Sequence, residues 1–173
     1  MERSFLIPAI LFLLSLAVRC TYELLKEARK IKPETKPVFF VVFFMMCVLW
    51  ISWFNLCPAD PSRLGLPDSI RWIGLAVFIL GTILAVGSLV QLREVENIDH
   101  LVTTGLFKKI RHPMYTGFIS WIAGWSIYHG AIISFAVGLT GIAGILWGRH
   151  LEERRLEVQF GRTYIQYRLT TWF

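Results

Sequence analysis

The sequence predicts an all-α polytopic membrane protein with five transmembrane helices and a cytoplasmic C-terminal helical tail. Three observations carry that prediction. Hydrophobic residues make up 55% of the 173 positions, about 95 in all, against the roughly 100 that five spans of ~20 apolar residues require. Charged residues make up only 17%, below the ~25% of an average soluble domain. The apolar residues also fall into long runs with basic clusters between them. These figures exclude a disordered chain and leave no room for a separate soluble domain of ordinary size. Residues 1–173 therefore read as one integral membrane domain, with spans one and two in residues 1–69 and a functional core in residues 70–173.

The first run, Phe5 to Val18, is short enough to suggest a signal peptide. It lacks a small-residue cleavage site and continues into an amphipathic stretch, Tyr22 to Ile31, so a spanning helix is the better reading. Pro33 and Pro37 then break the chain. The second run is Val38 to Leu56, and the proline-containing stretch Cys57 to Asp68 reads as an ordered loop. The third run is Ile70 to about Leu92, the fourth Met114 to Tyr128 and the fifth Ala131 to Trp147. His129-Gly130 is so short a connector that runs four and five must form an antiparallel pair. The segment from Arg149 to Phe173 is too charged to span.

Charge sets the expected orientation. Lys26, Arg29, Lys30, Lys32 and Lys36 follow span one, and Arg93, Lys108, Lys109 and Arg111 follow span three. Arg149, Arg154, Arg155, Arg162 and Arg168 lie in the tail, whereas one opposite loop offers only Arg63 and Arg71 and the other none. The positive-inside rule then places the N-terminus outside and the tail in the cytoplasm. The membrane is a bacterial or archaeal inner membrane or the endoplasmic reticulum. The net charge of +6 is thus topology, and no basic, aromatic-interleaved surface remains for nucleic acid. Cys20, Cys47 and Cys57 have neither disulfide nor zinc-ligand spacing, so no metal is expected. Glycines recur at Gly81 and Gly87, at Gly117 and Gly124, and at Gly138, Gly141 and Gly144. Small faces of this kind let helix backbones approach in lipid.

The polar residues gather in two expected cytoplasmic segments. In the first, His100 to Gly117, Pro113 suits the first turn of a helix, with Arg111 and His112 just ahead of it. The Arg111 charge and the helix-end N–H groups together predict an anion site at the interface. Tyr115 lies just inside, and Gly105, with Thr103 and Thr104, allows a sharp turn. In the second segment, Arg149 to Tyr167, Leu156, Phe160, Tyr164 and Tyr167 recur at helical spacing and suit an apolar lid broken at Gly161. Glu152 and Glu153 project about 100° apart, so only one can aim squarely at a given ligand. A solvated helix with Arg149–Glu153 and Arg154–Glu157 pairs is the alternative.

Taken together, His100-Leu101-Val102-Thr103-Thr104-Gly105, Arg111-His112-Pro113-Met114-Tyr115-Thr116-Gly117, Glu152-Glu153, Phe160-Gly161, Tyr164 and Tyr167 resemble the isoprenylcysteine carboxyl methyltransferase family. That family stands among the phospholipid methyltransferases and other small membrane methyltransferases. The likeness runs from about Ile70 to Tyr167. It implies S-adenosyl-L-methionine as cofactor, in a cytoplasmic pocket roofed by the tail, and a lipophilic or lipid-modified acceptor entering from the bilayer. By the same resemblance, His100, Leu101, Val102 and Gly105 would line the cofactor, and His112 with Pro113 would hold its amino-acid portion. Tyr115 would pack nearby, and Glu152 or Glu153 would bind the ribose or adenine end. Arg111 would orient the acceptor. A prenylcysteine-like carboxylate has no proton to lose, so one cation suffices to hold it. An amine or thiol would need a base such as His112 or Glu153. Arg111 and Glu153 are accordingly the expected catalytic pair. The alternatives are a membrane reductase using NADPH and a non-catalytic membrane scaffold.

Overall fold

A computed structural model describes residues 2–31, 35–92 and 100–173. The break expected at Pro33 and the basic residues Lys32 and Arg93 lie outside the described residues. Helices α1 (Glu2–Glu27), α2 (Lys36–Leu56), α3 (Asp68–Gln91), α4 (Pro113–His129), α5 (Ile132–Phe160) and α6 (Arg162–Thr170) follow in order, with a 3₁₀ turn at Gly105–Lys108. No strand occurs among the described residues, only isolated bridges between Arg63 and Ala131 and between Ile110 and Trp172. The first apolar run is one 26-residue helix, so it continues past its apolar stretch as expected.

Among the described residues, α1, α2, α3 and α5 are each long and apolar enough to cross a membrane. Helix α4 has 17 residues, about 26 Å at 1.5 Å per residue, somewhat short of a ~30 Å hydrocarbon core. At 29 residues, α5 is about 43 Å long. Its last turns, from Arg149 on, therefore reach well beyond its apolar portion.

Lipid removes most of the hydrophobic drive between helices, so close backbone packing must supply it. Helices α3 and α4 run antiparallel and meet at two glycine pairs. A Cβ on Gly81 would stand 2.8 Å from the Gly117 carbonyl oxygen, and one on Gly117 would stand 2.6 Å from that of Gly81. Two turns along, a Cβ on Gly124 would meet Phe78 N at 2.6 Å and Gly74 O at 2.7 Å. On α5 the small face receives side chains instead. Trp53 and Ile122 press on Gly138, Phe12 on Gly141 and Leu16 on Gly144.

Aromatic rings fasten α2 to the α3–α4 pair. Trp50 lies 4.8 Å from Trp121 and 4.9 Å from Phe118, and Phe54 lies 5.7 Å from Phe78, measured between ring centroids. Trp121 Nε1 donates to Thr82 Oγ1 at 2.8 Å, and Trp125 Nε1 to the Phe54 carbonyl at 3.2 Å. At the same end of the bundle, buried Asp60 accepts from the backbone N–H of Ser62 and from that of Ser134 in the first turn of α5. Gly130, at φ +63°, makes the tight α4–α5 turn. The proline-containing loop is thereby ordered, as its composition predicts.

The glycine pairs give a direct test. Gly124→Val should destabilise the protein in detergent by about 1–3 kcal/mol or more, because backbone rather than flexible side chain blocks the new atoms. Gly65→Ala, with nothing within 4 Å of the added Cβ, should stay within about 0.5 kcal/mol. Thermal unfolding followed by circular dichroism measures both.

Candidate functional site

At the opposite end of the bundle from the α4–α5 turn lies a cavity of about 620 Å³. This is within the ~300–1,000 Å³ of ordinary ligand pockets. Its polar end is built by the start of α4 and the later turns of α5. His112 precedes α4 as its N-cap and Pro113 opens the helix. Proline fits there because its missing N–H would have no partner inside the helix. One turn on, the Tyr115 hydroxyl donates to Glu152 Oε2 at 2.6 Å. The His112 ring stacks near the Tyr115 ring, with centroids 5.5 Å apart and planes 20° from parallel. His112, Pro113, Tyr115 and Glu152 all line the cavity, with Leu101 and Val102 from the preceding loop.

The two adjacent glutamates take different parts. Glu152 faces the cavity, whereas Glu153 turns toward the loop ahead of α4. Its Oε1 stands 2.9 Å from Arg111 Nε, 3.2 Å from His112 Nε2 and 3.3 Å from Arg149 Nε. The anion expected at the start of α4 is thus supplied by the chain itself. The hydrogen bond with His112 outweighs burial, and Arg149 and Arg111 add to it, so the Glu153 carboxyl falls to about 2. Arg111 borders the cavity but is heavily engaged. Beyond Glu153, its Nη1 donates to the Arg168 carbonyl at 3.0 Å and to both Thr171 oxygens at 3.3 Å.

Those bonds tie the tail down. The Arg111 and His112 backbone N–H groups donate to Trp172 O and Phe173 O, and Trp172 N–H returns a bond to Lys109 O. Tyr167 donates to the Phe107 carbonyl at 2.6 Å, and Arg168 pairs with Glu157 at 3.1 Å. Glycine is needed at position 161, whose φ of +53° lets α6 fold back from α5. Tyr164 is fully buried, and burial, with the charge of Glu153 next, holds its phenol above the usual tyrosine range. Leu156 and Tyr167 face the cavity, as the lid reading expects. Of the two ion pairs of the solvated-helix alternative, Arg149–Glu153 is present, and Glu157 pairs with Arg168.

Other expected site residues stand further off. His100 is exposed and, like Gly105 and Glu153, is absent from the described cavity wall. Gly105, at φ +59°, makes the expected sharp turn, packed on the Gln91 side chain, which accepts from Leu106 N–H at 3.1 Å.

Sequence reasoning missed the share of α1 and α2. Arg19 and Glu23 of α1 line the polar end, joined by Arg155 of α5, whose Nη2 lies 2.7 Å from Glu23. An Arg and a Glu four apart in the last turns of an otherwise apolar run were the available signal. Below them the cavity becomes apolar, walled by Leu16, Val42, Met46, Phe118 and Ile122. Phe39 and Phe43 of α2 and Leu89 of α3 line it while remaining 45%, 58% and 45% exposed. All three side chains thus border both the cavity and the outer surface of the bundle.

Residues 69–163 match the phospholipid methyltransferase family, and the chain belongs to that family. It is 31% identical over 113 residues to protein-S-isoprenylcysteine O-methyltransferase B of Arabidopsis thaliana, covering 56% of this chain and 55% of the relative. It is 32% identical over 117 residues to methanethiol S-methyltransferase of Pseudomonas deceptionensis, covering 61% and 44%. With protein-S-isoprenylcysteine O-methyltransferase of Dictyostelium discoideum the identity is 30% over 139 residues, covering 71% and 54%. The chain spans about half the length of these relatives. No solved structure matches it.

Glu153 should be the keystone of the tail. A depressed carboxyl stabilises the fold fully above its unfolded value near 4.5 and loses that contribution as pH falls toward about 2. Glu153→Gln should therefore cost about 2–4 kcal/mol at pH 7 and flatten the fall of the melting temperature between pH 5 and pH 3. Melting curves across that range for both proteins measure the difference. An unchanged slope would remove Glu153 from the role.

Proposed function

We propose that this chain is an S-adenosyl-L-methionine-dependent methyltransferase acting on a lipophilic acceptor at the membrane face, with a carboxylate acceptor of prenylcysteine type favoured. One observation carries the reading. One cavity joins the Tyr115–Glu152–His112 polar end to an apolar arm bordered by the exposed side chains of Phe39, Phe43 and Leu89, on which reading a lipophile enters from the bilayer between α2 and α3. Family membership and the named activities of the relatives support it.

The donor set suits the cofactor. Glu152, already accepting from Tyr115, offers its carboxylate to ribose hydroxyls or the adenine amine. His112 and the first turn of α4 would hold the amino-acid portion, and Leu101 and Val102 would cover an apolar face. Pro113 and Tyr115 complete that wall. Gly105 and His100 act on this reading through the path of the 100–107 loop. When bound, S-adenosyl-L-methionine supplies a methyl group already activated on a sulfonium. The protein's task is then positioning and exclusion of water. Arg111 orients the acceptor head. Glu153 serves as a positioning residue that aims Arg111 and His112, since a carboxyl near 2 is a weak base at neutral pH.

Five crossings complete the proposal, with α4 the short one. The polar end then lies in the cytoplasm beside the basic clusters and the N-terminus lies outside.

Titration with S-adenosylhomocysteine tests the cofactor site. Glu152→Gln should weaken binding roughly 10- to 100-fold, the worth of a hydrogen bond to a charged group, with the melting temperature nearly unchanged. No binding by the unaltered protein would overturn the reading. Labelled methyl transfer to a lipid acceptor panel, with product mass analysis, tests the activity itself. There Arg111→Ala should abolish turnover, and cofactor affinity should fall with it, because the same guanidinium holds the tail over the cavity.

A further inference from the structure

We infer that the apolar arm of the cavity is a length gauge for the acceptor's hydrocarbon chain, and that Phe12 of α1 is its stop. Chains that fit the arm seat fully and longer ones are rejected. This rests on the methyltransferase reading and adds to it a limit on chain length and the residue that sets it. Three features of the cavity lead there.

A closed floor is the first. Phe12, Leu49 and Ile122 line the deep end and are 0%, 6% and 1% exposed. Behind Phe12 stands Trp53, also fully buried, with the two ring centroids 5.3 Å apart. Trp53 and Ile122 in turn press on Gly138 of α5. Phe12 therefore belongs both to the cavity wall and to the packed core. A chain that reaches it has nowhere further to go.

The second feature is the lining above that floor. Among the described lining residues deeper than Arg19, none is charged, and Leu16, Met46, Phe118 and Ile145 supply most of the wall. An ordered water needs several polar partners, which such a wall does not offer, so hydrocarbon is the fitting occupant.

Depth is the third. On α5, Glu152 marks the polar end, and Gly144 and Gly141 stand eight and eleven residues deeper. At 1.5 Å per residue that is about 12–16 Å. An extended chain advances ~1.2 Å per bond, a third of the reach of one extended residue, so the arm takes about ten to thirteen carbons. The whole cavity, about 620 Å³, is the size of one ordinary ligand pocket. With the cofactor in its polar end, the remaining space suits a chain of that length.

Lipid makes the test clean. Lipid tails are as apolar as the wall, so a chain moving from bilayer to arm gains little from burial and loses affinity only where it does not fit. The full chain in nanodiscs is titrated with N-acetyl-S-hexyl-, S-decyl- and S-hexadecylcysteine, each corrected for partition into empty nanodiscs, and with S-adenosylhomocysteine. Corrected affinity should be level from hexyl to decyl and fall roughly tenfold or more at hexadecyl, the cost of overfilling a packed site. Phe12→Ala should restore most of the hexadecyl loss, because the space of a phenyl ring admits about four further carbons at ~1.2 Å per bond. Hexyl and S-adenosylhomocysteine affinities should stay as they were. If Phe12→Ala loses its thermal transition, Phe12→Leu decides, with a smaller recovery of roughly threefold. A decyl probe carrying a diazirine at its chain end should label the α1 segment around Phe12.

A level profile through hexadecyl, labelling confined to Phe39, Phe43 or lipid, or a hexadecyl loss unmoved in the folded Phe12 variant overturns the inference, since the chain then stays in the bilayer or stops elsewhere. So does the lack of binding above empty nanodiscs at every length. With S-adenosylhomocysteine bound, those results leave the methyltransferase reading standing. Absence of S-adenosylhomocysteine binding overturns both.

Discussion

One carboxylate oxygen, Glu153 Oε1, gathers Arg111 and His112 from the start of α4 and Arg149 from its own helix. Three segments distant in sequence depend on it. Without that carboxylate, the loop ahead of α4 would present a guanidinium with no counter-charge and an imidazole without this hydrogen-bond partner to a half-buried site. With it, Arg111 becomes a donor to the tail backbone, the tail closes over the end of the bundle, and Glu152 one residue away is left facing the cavity. A burial cost is accepted here in exchange for geometry, which is the use of a buried ion pair best supported by physical argument.

The other constraint is lipid. Helices in a bilayer gain little from hiding apolar surface, so α3 and α4 meet through glycines at backbone distance and α2 joins them through interlocked rings. These contacts seal the bundle at the end with the α4–α5 turn. Toward the other end Phe39 and Phe43 of α2 and Leu89 of α3 line the cavity while remaining exposed on the outside of the bundle. The tight packing comes from where the glycines and tryptophans stand along the helices.

Much of the local architecture was legible in the residues. The proline at the start of α4, the glycine turns at Gly105, Gly130 and Gly161, and the reach of α5 past its apolar portion are governed by nearest-neighbour physics. Leu156 and Tyr167 of the expected lid both reach the cavity, but from two different helices, and Phe160 and Tyr164 do not line it. The Arg-His-Pro-Met-Tyr and Glu-Glu segments were recognisable, and the two do meet. What the pattern did not disclose was the division of labour between Glu152 and Glu153, since residues 100° apart on a helix are equivalent until a neighbour occupies one side. Nor did it disclose the part of α1, where a single Arg–Glu pair reads as an ordinary helix-end ion pair.

The sequence by itself determined the helices, their order, the turns between them and the membrane as their solvent, because periodicity, proline, glycine and apolar run length act over a few residues at a time. The tertiary structure alone decided which side chains share a cavity. It brought Arg19 and Glu23 opposite Tyr115 and Glu152, spent Arg111 on the tail and left an arm of Arg19 unpaired. Such assignments depend on how helices far apart in the chain are rotated against one another, and that rotation is set by packing between them.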